Sequence, residues 1–354
     1  MPDPRPRRLG ILLAVAAALA LAACSPATHA GTATHGTATV DYAGSLTGLV
    51  QTTLQPAFEK QTGDSFVGKG AGSTLIAQGI LDGELSPGVF ISIGKKAITS
   101  LWPSRSHFVL TLATDPLVVA YSPKSRYAAQ LDAIRSGAQP LSALFRLMET
   151  PGFRLGRTDP TQDPQGAFFI LMVELATREL HLPAGTPGKI LGVSATDPVG
   201  NTTQVVDEDS LATDIASGSV DAGSDFLTEA RQFHLDYITL GPSLDFADPA
   251  QAARYATVSL TLPAGVFQGG LITLDATYVL PPAGRQRAAA DAAADEQFLA
   301  FLLGSKGRAE LRAAGYVLST PTVALAPGVS SVGAALPRAV ATAFAKLGGR
   351  AVAP

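Results

Sequence analysis

The sequence predicts an α/β protein with mostly parallel sheets, and three observations carry that expectation. Short apolar runs of strand length alternate with segments of helical period. Turns rich in glycine and serine recur where strands give way to helices, and open α/β sheets place ligands there, outside the carboxyl ends of their strands. At 354 residues the chain can also bury a sizeable core and is long enough for two lobes.

The N-terminal stretch lies apart from that core. Residues 1–23 carry Arg5, Arg7 and Arg8, then the apolar run Ile11 to Ala20, then Leu21-Ala22-Ala23 before Cys24. This is a secretory signal, too short for a transmembrane helix. Leu-Ala-Ala-Cys resembles a bacterial lipobox, which implies that Cys24 becomes a lipidated N-terminus. Cys24 is the only cysteine, so no internal disulfide can form and the fold must hold by packing. Removing residues 1–23, with Asp3 and three arginines, takes the net charge from -3 to -5. A mildly acidic chain gives no support for nucleic-acid binding. Residues 24–37 are small and polar and suit a flexible tether. His29 and His35 belong to that tether, and His107, His181 and His234 are scattered, so no protein-held metal site and no cofactor are expected.

Folded structure is expected from Ala38, with a strand over Ala38 to Tyr42 that breaks into Ala43-Gly44-Ser45. Leu46, Leu49, Val50, Leu54 and Phe58 then form a stripe at helical spacing. The same order returns at Phe66 to Ser73, before Thr74 to Leu81. The glycines let backbone N–H groups turn into a cavity, and the serines add hydroxyl donors. Val89 to Ile93 and Pro116 to Ser122 read as buried strands, and Leu141 to Met148 as a short helix. Val193 to Gly200 lacks a period and reads as loop. Leu211 to Ile215 reads as helix, ended by Ala216-Ser217-Gly218-Ser219. Val220 to Leu227 reads as a strand interrupted by Asp221 and Asp225. Asp221 suits a strand edge, and Asp225, followed by Phe226 and Leu227, enters a buried region. Tyr237 to Leu240 and Ala256 to Leu262 are further strands. Gln286 to Leu303 is a helix, and Val340 to Leu347 a last, loosely attached one.

The chain is organised around Gly156 to Gly166, a loop that feeds the apolar segment Ala167 to Ala176. Asp163 is placed as N-cap and Pro164 at the first helical position, where a missing N–H costs nothing. Free N–H groups and the positive end of the helix dipole point into this loop, an arrangement suited to anions. A carboxylate at the cap would repel a free anion unless it touches the anion's central atom.

Five stretches in order resemble one family: Tyr42-Ala43-Gly44-Ser45-Leu46-Thr47; Gly72-Ser73; Asp115 to Ser125; Gly156 to Pro160 with Asp163-Pro164-Gln165-Gly166; and Asp221-Ala222-Gly223-Ser224-Asp225. Together they are similar to the periplasmic molybdate and tungstate binding proteins of ABC importers, in particular the tungstate-type branch, over about residues 38–325. The resemblance implies a two-lobed periplasmic-binding-protein fold of type II with a hinge between the lobes, and the strand placement puts that hinge near residues 113–119 and 268–278. Lobe I would comprise residues 38–115 and 275–330, lobe II residues 116–274, and residues 331–354 a C-terminal tail. It implies an oxyanion enclosed between the lobes, with Ser45 and Ser73 as donors and Gly44 and Gly166 in the turns around it. It also implies that Asp163 and Asp225 approach the metal of the anion. Molybdenum and tungsten can widen their coordination from four to six, whereas sulfur and phosphorus cannot easily do so, so two buried acids would penalise sulfate and phosphate.

Three positions depart from the family pattern: Gly88 in place of an Asp, Ala167 in place of an aromatic, and Asp225 in place of a Glu. The implied partners are the oxyanion, a membrane permease and, through Cys24, the membrane surface; a monomer is expected, located outside the cytoplasm. Two other readings remain open from the residues alone. One is a receptor for another small solute on the same fold, with sugars disfavoured because Trp102 is the only tryptophan. The other is a secreted hydrolase with Ser73 as nucleophile, which lacks the Gly-x-Ser-x-Gly pattern of a nucleophile elbow.

Overall fold

The computed structural model describes residues 35–194 and 197–353. The signal, Cys24, His29 and the tether as far as Thr34 lie outside the described residues. Thr37, placed by the sequence in the tether, is the first residue of strand β1 (Thr37–Ala43). Strands β2 (Ser65–Ala71), β3 (Val89–Ile93) and β4 (Phe108–Thr114) follow, then β5 (Leu117–Tyr121), β6 (Leu155–Gly156), β7 (Ala222–Phe226) and β8 (Asp236–Thr239). A hairpin of β9 (Ser259–Leu262) and β10 (Gly265–Gln268) precedes β11 (Thr273–Tyr278), β12 (Val317–Leu325) and β13 (Arg350–Val352).

These strands build two main sheets. One has seven strands in the order β13-β12-β4-β11-β3-β1-β2, the other four in the order β6-β7-β5-β8. The runs that read as uninterrupted apolar sequence are strands covered on both faces. In β3, Val89, Ile91 and Ile93 pack into the main core, whereas Phe90 packs with Ile76, Ile80, Ile98 and Val109 on the other side. In β5, Leu117, Val119 and Tyr121 face the main core, and Val118 and Ala120 face Leu211 and Ile215.

The chain passes between the sheets twice. It leaves through β4, Asp115, Pro116 and β5, and returns through residues 269–272 into β11. The two passages lie side by side, with Thr273 opposite Thr114 and the Asp115 N–H donating to the Ile272 carbonyl at 3.1 Å. This crossing corrects the expectation of mostly parallel sheets. An outgoing and a returning strand that are neighbours must run in opposite directions, so β4 is antiparallel to β11, as are β11 to β3 and β12 to β4. Parallel pairing survives between β1 and β2, β1 and β3, and β12 and β13. In the smaller sheet β5 is antiparallel to both β7 and β8, while β6 is parallel to β7.

The last helix is docked rather than loose. In Arg338–Lys346, Val340 and Phe344 lie four apart on one face and are both buried. The helix packs on Ala289–Leu303, and β13 then extends the large sheet. The Ala289–Leu303 helix is itself central, because Phe298 meets Phe58 edge-on at 5.1 Å between ring centroids and Phe66 at 5.1 Å. Strand β9 is shorter than expected because Ala252–Tyr255 forms a helical turn before it.

Gly88 has a local explanation. It precedes β3 at the end remote from the carboxyl ends of the strands, and its N–H donates to the Thr39 carbonyl at 2.8 Å. A Cβ built there would lie 1.7 Å from Oδ2 of Asp295. The Asp295 carboxylate accepts from the Thr39 N–H at 2.7 Å and faces the Arg287 guanidinium at 3.6 Å. A side chain at 88 would thus meet the Asp295 carboxylate that reaches in from the Ala289–Leu303 helix. Gly88→Ala should cost roughly 1–3 kcal/mol by overpacking, and much less in an Asp295→Ala background; urea denaturation of the single and double variants measures the difference.

Candidate functional site

The site is assembled from strand ends and helix starts of both sheets. Strand β1 ends at Ala43, and Gly44–Leu46 makes one tight turn in which Gly44 and Ser45 are buried. Strand β2 packs against this turn so closely that a Cβ on Gly70 would meet Thr47 Oγ1 at 2.3 Å. Ser73 opens the helix Ser73–Asp82, and its Oγ accepts from the Ile93 N–H at 3.3 Å. Gly72, just before it, faces the carbonyl of Gln162 across the interlobe gap, 3.1 Å from the position of a Cβ.

The loop from Gly156 to Gly166 is held from within. Arg157 is fully buried and donates through Nε to Gln204 Oε1 at 3.3 Å and through its terminal nitrogen to the Val199 carbonyl. Burial lowers its guanidinium to about 10, with Asp159 and Asp197 opposing the shift. The Val206 N–H donates to the Arg157 carbonyl at 2.9 Å, so Arg157 ties residues 199–206 to the loop. Asp163 caps the helix Pro164–Glu179, its Oδ1 accepting from the Gln165 N–H at 2.9 Å, as the sequence leads one to expect. Such a cap stabilises a helix by about 1 kcal/mol. Gly166 packs on Thr158, whose carbonyl would lie 2.2 Å from a Cβ, so a side chain at this position would push the helix off the loop. Ala167 is fully buried in the first turns of the same helix.

Asp225 lies near the end of β7 and is buried, with Oδ1 accepting from the Phe226 N–H at 2.8 Å. The structure brings it together with Asp163 and with three acids that the sequence reading did not single out. Glu229, in the helix Leu227–Gln232, faces Asp225. Glu208, first residue of the helix Glu208–Ser217, accepts from the Ser45 N–H at 2.9 Å and faces Asp163 and Glu229. Asp115, in the outgoing passage, accepts from the Thr228 N–H at 3.3 Å and from the Thr228 hydroxyl. Gln165 links two of the elements, accepting from Ser224 Oγ at 3.1 Å and donating to Glu229 at 3.4 Å.

These positions carry few sequence signals. Glu208 and Glu229 sit at helix starts, where acids ordinarily complement the dipole, and only folding brings them to the same place. By contrast Asp221 is a structural acid: burial pushes it up, but bonds from Arg154 and Ser125 outweigh that and hold it below the usual range. Two cavities border the cluster. One, of about 480 Å3, is lined by Gly72, Thr158, Asp159, Asp163, Asp207 and Glu208. The other, of about 290 Å3, is lined by Ser45, Thr228, Arg231, Glu310 and Tyr316 among others. Among the described residues, no group of three or more His, Cys, Asp and Glu is arranged to hold a metal ion.

Burial dominates the electrostatics. It pushes Asp115 and Asp225 up to about 7, and it holds Glu208 and Glu229 well above the ordinary carboxyl range, with the neighbouring acids adding to the last two. In an unfolded chain these groups release protons near pH 4. Between about pH 4 and 7 the folded form therefore holds protons that the unfolded form has lost, and stability falls as pH rises through that window. The apparent melting temperature of the domain, without added oxyanion, should drop from pH 5 to pH 7.5. Asp225→Asn should flatten the curve; an unchanged slope would show that Asp225 keeps an ordinary affinity for protons.

Known proteins share this arrangement of chain. The periplasmic molybdate-binding protein of Azotobacter vinelandii superimposes with a TM-score of 0.52 at 20% identity, covering 80% of this chain and 99% of the other. At that identity the likeness speaks for the two-lobed α/β fold. A Haloferax volcanii protein, provisionally named an ABC transporter molybdenum-binding protein, is 28% identical over 231 residues, 65% of this chain and 70% of its own length. The molybdate/tungstate-binding protein WtpA of Pyrococcus abyssi is 26% identical over 241 residues, 63% of this chain and 65% of its own. The chain thus matches about two thirds of the length of these relatives. The model of the bacterial extracellular solute-binding protein family matches residues 38–317, and the chain belongs to that family.

Proposed function

We propose that the protein is the extracytoplasmic binding component of an ABC importer that captures molybdate or tungstate between its lobes. The observation that carries this reading is the convergence of Asp163 and Asp225, from two separate elements, on a buried cluster that also receives the Ser45 N–H. Ser45 and Ser73 would donate to the anion's oxygens, and Gly44 and Gly166 would let backbone approach it. Selectivity follows from the cost of ionising a buried acid. A metal centre that accepts a carboxylate oxygen lowers that group's pKa and offsets the burial that raised it. A sulfur or phosphorus centre offers no such bond, so sulfate or phosphate would meet only like charge. Ser73 suits a positioning donor better than a nucleophile, since its hydroxyl is engaged by the Ile93 N–H.

Isothermal titration calorimetry of the chain lacking residues 1–34 should give tight binding of tungstate and molybdate and none of sulfate or phosphate. Asp163→Ala and Asp225→Ala should each weaken binding by at least about a hundredfold, the loss of a charged contact. Equal binding of sulfate would mean that both acids are structural.

The same reading places the chain on the outer face of a membrane through a lipid on Cys24, next to its permease. In the expressing cell, Cys24→Ala should move the protein from the membrane fraction to the soluble extracytoplasmic fraction without changing its affinity for tungstate. Retention in the membrane fraction would assign the anchoring to another segment.

A further inference from the structure

We infer that Glu208 is an internal competitor for the oxyanion: its carboxylate takes the Ser45 N–H that an incoming anion would use. This rests on the proposed oxyanion reading. The bond joins the turn after β1 to the first residue of the Glu208–Ser217 helix, 163 positions apart in sequence, at 2.9 Å. A carboxylate presents two oxygens on one carbon and resembles the edge of an oxyanion, so the donor that recognises one recognises the other.

The placement of Glu208 is built into the chain. Arg157 clamps residues 199–206 to the loop before Asp163, and the helix that begins two residues later carries Glu208 to the turn. Glu208 lines the same cavity as Asp163 and faces Asp163 and Glu229. An oxyanion at this place must therefore displace Glu208 from Ser45 and also find room beside its carboxyl group in the cavity that it shares with Asp163. Both effects weaken binding, so Glu208 sets the affinity below what the donors alone would give. Asp163 and Asp225, in contrast, are proposed to bond the metal, and their removal acts in the opposite direction.

The test pairs a ligand-independent readout with a binding one, on the chain lacking residues 1–34. In hydrogen exchange followed by mass spectrometry, the peptide containing Ser45 should exchange faster in Glu208→Ala than in the parent, with no oxyanion present. In calorimetry Glu208→Ala should bind tungstate up to about tenfold more tightly than the parent, the size of one hydrogen bond. Glu208→Gln keeps an acceptor oxygen for the Ser45 N–H and should lie nearer the parent, which also covers the case in which the alanine variant folds poorly. Weaker tungstate binding by both variants would overturn the inference and make Glu208 a direct contact of the anion. Unchanged exchange at Ser45 would overturn it as well. If the parent bound neither tungstate nor molybdate, the oxyanion reading would fall, while the exchange experiment would still report whether Glu208 holds Ser45.

Discussion

Five carboxyl groups, Asp115, Asp163, Glu208, Asp225 and Glu229, meet where the two sheets face each other, and they cannot all be ionised in so little water. Placing a charge in such a setting costs several kcal/mol unless a partner compensates it. The cluster meets that constraint in three ways: it holds some members neutral, it supplies N–H donors from Ser45, Gln165, Phe226 and Thr228, and it keeps Arg231 within electrostatic reach of Asp115. Much of the surrounding architecture serves this arrangement. The tight turn after β1, the capped helix at Asp163 and the clamp at Arg157 all fix donors or acids at positions that would otherwise drift apart.

Local structure was legible in the sequence wherever one element decided its own fate. Val89 to Ile93 is a strand because both its faces are covered, and an unbroken apolar run records that directly. Asp163-Pro164 announces a helix start because cap and N1 chemistry are local. The mixed pairing of the large sheet was not legible, because direction depends on which strands become neighbours, and β4 meets β11 from 159 positions away. For the same reason the resemblance points to Asp163, Asp225 and the serines, whereas it assigns no site role to Asp115 and the sequence reading does not mention Glu208 or Glu229. Their interest comes from one another, and no spacing in the chain records it.

Gly88 is fixed by packing: the helix of residues 289–303 brings the Asp295 carboxylate, bonded to Thr39 and close to Arg287, into the space that a side chain at 88 would need. This contact lies at the amino end of β3, away from the cluster, so it belongs to the packing of the first lobe.

The two passages between the sheets also decide how the lobes can move. Asp115 and Ile272 are joined by a backbone hydrogen bond, and on the side of the large sheet β4 and β11 continue the pairing. A two-stranded ribbon of this kind resists stretching and resists sliding of one strand past the other, but it bends across its width with little loss. Two tethers set apart would permit twisting in several directions; two that are zipped together leave essentially one. Asp115 lies at this crossing, joined through its N–H to Ile272 and through its carboxylate to Thr228, so the residue that links the passages is also a member of the acid cluster.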